Sequence, residues 1–293
     1  MYWKKLKQSA LSGAEAFLRE REHSCVNAVS RFTSGTITHV WAAFLQDLHS
    51  GKQREKQISG LLLYGNRFLF PVFCFPSETA AAFSESMPLP PFFSWILKRS
   101  PLHAVQGLAA DMDITETALE TKGFFPASKY DYDLRSLVYS GEPGMIVKTP
   151  PGLRIRRAVM ADADPLFPLQ AGYEQEEVLP RGAHFNPAAC RKGLENLIAD
   201  NLVLAAELEG FMVGKININA QSYTHFQIGG VYVVPEFRNY GIARAMTAAL
   251  IREFAPQKNR FTLFVKKANI PARRVYDSLG FLKTGDYRIT YFL

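Results

Sequence analysis

Cysteine is scarce in this sequence: there are three residues, Cys25, Cys74 and Cys190, and their spacing fits neither a disulfide framework nor a zinc site. Long apolar runs are also lacking, so we expect neither a signal peptide after the basic N-terminus nor a membrane span. The sequence has no low-complexity tract and no basic stripe with interleaved aromatic residues, which argues against a disordered tail and a nucleic-acid partner. These absences predict a cytoplasmic globular protein with reduced, buried cysteines and no metal site.

The chain is long enough for two domains of ordinary size, with 293 residues of which 47% are hydrophobic. Ser140–Gly152 has the glycine and proline density of a linker, so we predict domains at residues 1–145 and 153–293. Counting Lys and Arg against Asp and Glu, residues 1–150 carry 16 minus 14, or +2, and residues 151–293 carry 18 minus 13, or +5. A basic second half favours a polyanionic partner, although the same charge also keeps a surface soluble.

One stretch of the second half predicts a strand, a tight turn and an amphipathic helix. Val231–Val234 is β-branched and aromatic and ends at Pro235, and apolar residues then recur at helical spacing from Ile242 to Phe254. The free N–H groups at the start of such a helix favour an anion, and Gly241 allows its oxygens to approach closely. This loop is therefore a candidate phosphate cradle, although a glycine near a helix start is also ordinary turn chemistry.

A second stretch follows the same order of strand and helix. Thr262–Lys266 is predicted to be a strand, and the following helix has Asn269 as its cap, Pro271 in its first turn and Gly280 at its end. The two stretches contain Val-x-Pro-x-x-Arg-x-x-Gly-x-Ala and Asn-x6-Tyr-x3-Gly-Phe. Together and in this order they resemble the pyrophosphate motif and the second motif of the GNAT superfamily of N-acetyltransferases, over roughly Leu153–Leu293.

The resemblance implies an α/β fold with a mixed α+β sheet, the acyl-CoA N-acyltransferase fold, in the second half, preceded by an α/β N-terminal domain. It also implies acetyl-coenzyme A as co-substrate and transfer of the acetyl group to a primary amine by direct attack. Arg238 would supply charge to the pyrophosphate, Val233 and Val234 would offer main-chain groups to the pantetheine arm, and Asn269 would add a contact. The pyrophosphate would lie on the amides of Asn239, Tyr240, Gly241, Ile242, Ala243 and Arg244.

Tyr276 matches the family's general acid, which protonates the departing thiolate, and a phenol is suited to that task. Its apolar neighbours along the helix are equally compatible with a core tyrosine. The resemblance implies a glutamate as general base on the strand before the pyrophosphate loop, as in one variant of the family. Ile228–Val234, which is that strand here, contains no carboxylate, so the general base is not evident. Glu174, Glu176 and Glu177 are the candidates, with a water as the other possibility, and a solvated acidic patch is the alternative explanation of the three glutamates. His225 is the other titratable candidate, for which an exposed loop position is the simpler expectation.

The first half has its own α/β pattern, with a predicted helix at Ala14–Asn27 and a hairpin of Ile58–Tyr64 and Phe68–Phe75. Its end, Gly123-Phe124 followed by a strand, parallels Gly280-Phe281 at an offset of 157 residues, which favours an internal duplication. It lacks a glycine loop like that of the second half. We therefore predict a degenerate acetyltransferase-like domain that binds no coenzyme A and shapes the acceptor site.

The predicted function is acetyl transfer from acetyl-coenzyme A to an amine of a small molecule or peptide. Two alternatives remain open: an acyltransferase that uses another acyl donor, and a non-catalytic protein that binds acyl-coenzyme A as a sensor. The sequence does not specify the acceptor or the oligomeric state.

Overall fold

The computed structural model describes residues 2–44, 57–75, 87–90, 93–141 and 147–292. The chain forms two compact units, Met1–Asp133 with Gly285–Leu293, and Leu134–Thr284. This division differs from the one expected from the sequence, because the last residues of the chain belong to the first unit. The linker prediction falls partly on residues 142–146, outside the described residues.

The first unit is a mixed α/β layer structure. Its strands lie in the order β1-β2-β3-β4-β5-β12, and β4 and β5 are parallel whereas the other described pairs are antiparallel. The elements are β1 (Tyr2–Lys5), α1 (Leu11–Arg19), α2 (Val26–Thr33), β2 (His39–Phe44), β3 (Ile58–Gly65), β4 (Phe68–Phe73), α3 (Phe93–Arg99), β5 (Ala104–Leu108), α4 (Ala109–Glu120), the start of β6 (Ser128–Val138) and the end of β12 (Leu282–Tyr291).

The second unit has the same kind of sheet, in the order β6-β11-β10-β9-β8-β7, with β10 and β11 parallel. Helix α7 packs on one face of this sheet, around Phe226, Ile228 and Phe261, and α5 and α6 pack on the other face. The elements are β7 (Arg154–Arg157), α5 (Ala163–Tyr173), α6 (Pro187–Ala199), β8 (Val203–Leu208), β9 (Phe211–Gln221), β10 (His225–Val233), α7 (Ile242–Phe254), β11 (Arg260–Lys266) and α8 (Ile270–Ser278).

Both halves of the chain follow one order of elements: strand, two helices, three strands, helix, strand, helix, strand. The order covers β1 to β6 in the first half and β7 to β12 in the second, as far as the structure describes them. The mixed α/β fold predicted for both halves is thus present.

The prediction of a single helix at Ala14–Asn27 is wrong. Two helices, α1 and α2, lie there, separated by a 3₁₀ turn at Glu22–Ser24. The hairpin prediction is confirmed, and its turn residues are Asn66 and Arg67, both with positive φ. Cys25 and Cys190 are buried as expected, whereas Cys74 is exposed. Within the described parts of the chain, no helix is both long and apolar enough to cross a membrane.

Candidate functional site

Strands β10 and β11 separate partway along their length. Their parallel register runs from His225 opposite Arg260 to Ile228 opposite Leu263, yet β10 continues to Val233 and β11 to Lys266. The register of β10 against β9 also shifts between Gly229 and Tyr232, which marks a bulge where the two parallel strands part. The two strand ends form the lips of a cleft, which we call the β10–β11 cleft.

Val233 presents its main-chain groups to this cleft. The N–H of the next residue, Val234, donates to the Val213 carbonyl at 3.0 Å, and Val233 lies opposite Gly214. Because main-chain groups alternate in direction along an antiparallel strand, the Val233 N–H points away from β9. The Val234 carbonyl accepts from the Phe237 N–H at 3.0 Å, so both main-chain groups of Val234 are engaged. Of the two valines proposed for the pantetheine arm, Val233 is the one suited to it.

The loop after β10 ends in Gly241, which precedes α7 with φ 76° and ψ 4°. This left-handed conformation is easy for glycine and strained for other residues. No side chain caps α7 in the described structure. In contrast, Asn186 and Asn269 cap α6 and α8 by accepting from Ala189 and Ala272. The first-turn N–H groups of α7 are therefore open to a ligand, as a phosphate site requires.

Arg244 in the first turn of α7 has a buried donor that a ligand or a water can complete. Its Nε atom is buried and has no hydrogen-bond partner among the described residues. Buried donors without a partner are rare in native proteins, so such an atom indicates a ligand or water that completes it. Asn239 and Tyr240 are exposed in the loop, Ala243 is half-buried, and the Ile242 side chain is buried in the core. The residues present thus fit a pyrophosphate.

Arg238 forms an ion pair with Glu176, which the sequence analysis gave as a candidate general base. Its Nη2 donates to Glu176 Oε2 at 2.9 Å, and its Nε donates to the Val233 carbonyl at 3.1 Å. Glu176 also accepts from the Tyr232 hydroxyl at 2.8 Å. The Arg238 and Glu176 side chains are 44% and 46% exposed. An ion pair this exposed contributes at most about 1 kcal/mol, so a diphosphate can displace it.

Glu177 contacts the β11 side of the cleft. Its carboxylate lies 3.1 Å from Lys266 Nζ and accepts from Asn269 Nδ2 at 3.3 Å. Both glutamates belong to a π-helical turn, Glu174–Val178, that follows α5. The two candidate bases therefore reach the β10 side and the β11 side of the cleft, respectively. Short π-helical turns of this kind are frequent at functional sites.

Tyr276 is buried on α8 and packs edge-to-face against Phe281, with ring centroids 5.8 Å apart. Burial raises the pKa of its phenol, and the neighbouring Tyr173 and Glu177 raise that pKa further. The phenol therefore keeps its proton at neutral pH, as a proton donor must. Tyr276 and Glu177 are therefore close enough to interact electrostatically.

Sequence reasoning missed Lys215, a fully buried lysine on β9. Its Nζ donates to Asn217 Oδ1 and to the Gly230 carbonyl, both at 3.0 Å, and lies 5.2 Å from the centre of the Tyr173 ring. Burial lowers the pKa of Lys215 to about 7, although nearby Cys190 and Glu174 act in the opposite direction. A neutral amine has two N–H donors, and these two contacts satisfy both of them.

The bulge of β10 fits over this amine because it is made of glycine. A Cβ on Gly230 would lie 1.7 Å from Asn217 Oδ1 and 2.7 Å from Lys215 Nζ. Two features of the sequence could have indicated this contact between Lys215 and the β10 bulge. Polar residues alternate with isoleucine in Lys215–Asn219, and two glycines interrupt the following strand. Glycine inside a strand often marks a close approach, and period-two polarity marks one face of it.

The lowered pKa of Lys215 predicts a stability that rises with pH. The unfolded chain binds the Lys215 proton up to about pH 10.5 and the folded chain only up to about pH 7. The loss of folding stability caused by burying Lys215 is therefore largest below pH 7 and decreases as the pH rises. Between about pH 7 and about pH 9.5 the wild type should gain about 3 kcal/mol relative to Lys215→Met, measured by urea unfolding followed by circular dichroism.

Lys192→Met is the control, because Lys192 is an exposed lysine of the same unit. Parallel pH profiles of the wild type and Lys215→Met would contradict the prediction and mean that Lys215 is charged at neutral pH.

In the first unit, the parallel strands β4 and β5 also separate, but protein groups fill the gap between them. The register of β4 and β5 runs from Phe68 opposite Ala104 to Leu69 opposite Val105 only. The Phe73 N–H points away from β3, as the Val233 N–H points away from β9, because the next residue, Cys74, donates to the Ser59 carbonyl. Asp111 Oδ2 accepts that Phe73 N–H at 3.2 Å.

Pro71 and Gly107 fill the rest of this gap. A Cβ on Gly107 would lie 3.0 Å from the Pro71 carbonyl oxygen, and proline offers no N–H to a ligand. The remaining cavity has a volume of ≈ 10 Å³, which is room for about one water. Burial raises the pKa of Asp111 to about 7, against the hydrogen bond from Phe73, which lowers it. In the first unit, the Asp111 carboxyl group accepts the Phe73 N–H. In the second unit, the corresponding N–H, that of Val233, faces the β10–β11 cleft.

His225 corrects an expectation from the sequence. It is buried at the first residue of β10, with Nδ1 3.0 Å from Thr224 Oγ1, rather than exposed in a loop. It lies at the end of β10 opposite to Val233 and the phosphate loop. The structure therefore places Glu176 and Glu177 at the cleft, Tyr276 in the core within electrostatic reach of Glu177, and His225 away from the cleft.

Comparisons with known proteins agree with this geometry. Residues 169–281 match the model of the acetyltransferase (GNAT) family. No curated protein sequence matches the chain. Residues 169–281 therefore form a domain that matches the GNAT acetyltransferase family, and this match supports acyl transfer from an acyl-coenzyme A.

Solved structures resemble the chain over both halves. An acetyltransferase of the GNAT family from Colwellia psychrerythraea is 12% identical over 100% of each chain, with a TM-score of 0.57. A GCN5-related N-acetyltransferase from Sphaerobacter thermophilus is 15% identical over 98% of this chain and 94% of its own, with a TM-score of 0.59. A tandem GNAT protein from the clavulanic acid biosynthesis pathway is 11% identical over 99% and 98%, with a TM-score of 0.57. At these identities the likeness establishes the fold.

Proposed function

We propose that the protein transfers an acetyl group from acetyl-coenzyme A to a primary amine of a small molecule or peptide. The observation that carries this proposal is the uncapped start of α7 at Gly241, directly beside the separated ends of β10 and β11. An anion at the helix start and an extended arm along Val233 together suit a diphosphate joined to a pantetheine chain.

The residues present have distinct tasks in this reaction. The amides from Asn239 to Arg244 and the Arg244 guanidinium hold the diphosphate, and the Val233 N–H donates to the arm. Bound acetyl-coenzyme A supplies the activated acyl group as a thioester. Binding of the diphosphate competes for Arg238 and so releases Glu176, which together with Glu177 is a candidate to accept a proton from the amine. Tyr276 donates a proton to the leaving sulfur.

The direct test is a thiol-release assay with acetyl-coenzyme A and a panel of polyamines, aminoglycosides, amino acids and peptide N-termini. We expect release to depend on one class of amine and the acetylated product to appear in equal amount. Glu176→Gln and Glu177→Gln remove the candidate bases one at a time, and the catalytic one should lower kcat with little change in cofactor affinity. Propionyl- and succinyl-coenzyme A, tested in parallel, measure the preference for the acetyl group.

A second candidate function is a sensor that binds acyl-coenzyme A without turnover. The observation that favours it is the pairing of both glutamates, Glu176 with Arg238 and Glu177 with Lys266. Tight binding of acetyl-coenzyme A with no thiol release for any amine would select the sensor over the enzyme.

The closed gap of the first unit leads to a prediction of stoichiometry. Calorimetry should give one acetyl-coenzyme A per chain, because Asp111 occupies the Phe73 N–H and Pro71 fills the remaining space. Asp111→Ala should leave this number unchanged, since proline still blocks the gap. A second equivalent bound by the wild type would contradict the proposal that the first domain is degenerate.

A further inference from the structure

The first unit has an open cavity of ≈ 690 Å³ at the end where β3 turns into β4. Its wall comes from the start of β2, the β3–β4 turn and the last turns of α3. Cavities of several hundred cubic ångströms are the usual size of small-molecule sites. The cavity lies at the opposite end of β4 from Phe73 and Asp111, so it is no remnant of a cofactor cleft.

Aromatic rings form much of this wall. Trp95 is 54% exposed, whereas Trp3 and Trp41 are buried. His39 and Tyr64 also line the cavity, and the His39 ring is stacked on Trp41 at 5.4 Å. Burial lowers the pKa of His39, and Lys5 lowers it further, so its ring is neutral at neutral pH. The wall therefore offers the exposed Trp95 ring and the half-buried, neutral His39 ring to a ligand, whereas the Tyr64 ring is almost fully buried.

The charged groups that line the cavity are all cationic. Arg67 and Arg99 supply them, and none of the described lining residues is acidic. The Arg99 guanidinium lies 4.0 Å over the Trp95 ring. Among the described residues it makes neither an ion pair nor a hydrogen bond. An arginine on an exposed tryptophan combines a stacking surface with donors for an anion.

Arg67 occupies a backbone position that favours glycine. Asn66 and Arg67 have φ of 49° and 67°, the conformation of a two-residue hairpin turn in which Asn-Gly is preferred. The Arg67 Nε donates to the Pro101 carbonyl at 3.0 Å, which fixes the guanidinium and leaves its terminal N–H groups for other partners. A strained residue at a cavity indicates that its side chain is required there.

We propose that this cavity binds a small planar aromatic anion, with the ring against Trp95 and the anionic group on Arg67 and Arg99. The site is separate from the acyl-transfer site proposed above. It is expected to accept ligands that combine a ring with a phosphate or carboxylate and to discriminate against molecules that have only one of the two.

The test uses the full chain and calorimetry with adenosine 5′-monophosphate and benzoate as two aromatic anions. Adenosine and inorganic phosphate, which carry the ring or the charge alone, should bind at least about 10-fold more weakly than the nucleotide, because each lacks one of the two contacts. Arg99→Gln should weaken the aromatic anions by about 10-fold. Lys98→Gln, which removes an exposed charge from the same helix outside the cavity, should leave binding unchanged.

Arg67→Gly separates binding from folding. Glycine relieves the positive φ, so this variant should melt at a higher temperature than the wild type and yet bind the aromatic anions less tightly. Two results would overturn the proposal. One is the absence of saturable binding of both aromatic anions to the wild type. The other is wild-type affinity in both Arg99→Gln and Arg67→Gly.

Discussion

Gly241→Val should bind acetyl-coenzyme A roughly 100-fold more weakly, or worse, than the wild type. Its β-branched side chain would stand at the start of α7, where the diphosphate oxygens have to approach the main-chain N–H groups. Hydrogen bonds to charged groups contribute about 1.5–3 kcal/mol each, so losing two of them accounts for this factor. Calorimetry with purified protein measures it.

Gly210→Val is the matched control for backbone strain. Gly210 has φ 84° in the β8–β9 turn, and a Cβ there meets nothing within 4 Å. Among the described residues, a Cβ at Gly241 meets only the Lys148 carbonyl oxygen, at 3.7 Å, so this part of the structure has room for it as well. Both variants should lose similar stability, and only Gly241→Val should lose the cofactor. Wild-type affinity in a folded Gly241→Val protein would remove the basis of the phosphate site.

Tyr276→Phe should lower kcat by about 10²–10⁴-fold with little change in cofactor affinity, since general acid catalysis is typically of that size. The ring remains, so its edge-to-face contact with Phe281 and the packing of α8 should be preserved. The measurement is steady-state turnover with the amine identified in the thiol-release assay, together with calorimetry for the cofactor.

Tyr287→Phe is the control for the loss of a buried phenol as such. Tyr287 is buried in the first unit, where its hydroxyl lies 3.3 Å from Gln106 Oε1. This variant should lose about one hydrogen bond, on the order of 1 kcal/mol, and keep its turnover. If turnover in a folded Tyr276→Phe protein is also unchanged, Tyr276 is a core residue and another group protonates the sulfur.

Elements with strong local signals were predictable from the sequence. Helix α7 covers Ile242–Phe254, as its apolar spacing predicts, and α6 begins at Pro187 after an Asn186 cap, which is a local signal of the same kind. For α6 the Asn186 cap, Pro187 and the apolar spacing agree, and for α7 the apolar spacing is strong without a side-chain cap, so local preference and tertiary packing favour the same structure.

The first two strands of the chain were not predictable in the same way. Strands β1 and β2 contain too few residues for a periodic signal, and their pairing, Tyr2 opposite Phe44, is a long-range contact. The predicted helix at Ala14–Asn27 was wrong because its apolar residues serve two helices separated by a 3₁₀ turn. A spacing pattern alone does not distinguish one long helix from two short ones.

Some features of the candidate site could also be predicted from the sequence, and others could not. The phosphate loop is continuous in sequence, so its residues could be identified from a motif. The pairing of Glu176 with Arg238 and of Glu177 with Lys266 joins residues 62 and about 90 positions apart, which depends on the fold. Lys215 required the register of β9 against β10, since its position becomes notable only when Gly230 lies beside it.

The path of the last strand constrains how the chain can be synthesised and divided. Tyr287–Tyr291 of β12 pair with Ala104–Leu108 of β5, and both segments belong to the first unit. On the ribosome, the first unit therefore lacks a strand until residue 291 has emerged, long after its other strands have been made, so vectorial folding of the N-terminal half is not expected to reach completion. A gene split at the linker would yield an N-terminal fragment with β5 unpaired on that side, an exposed edge that favours aggregation.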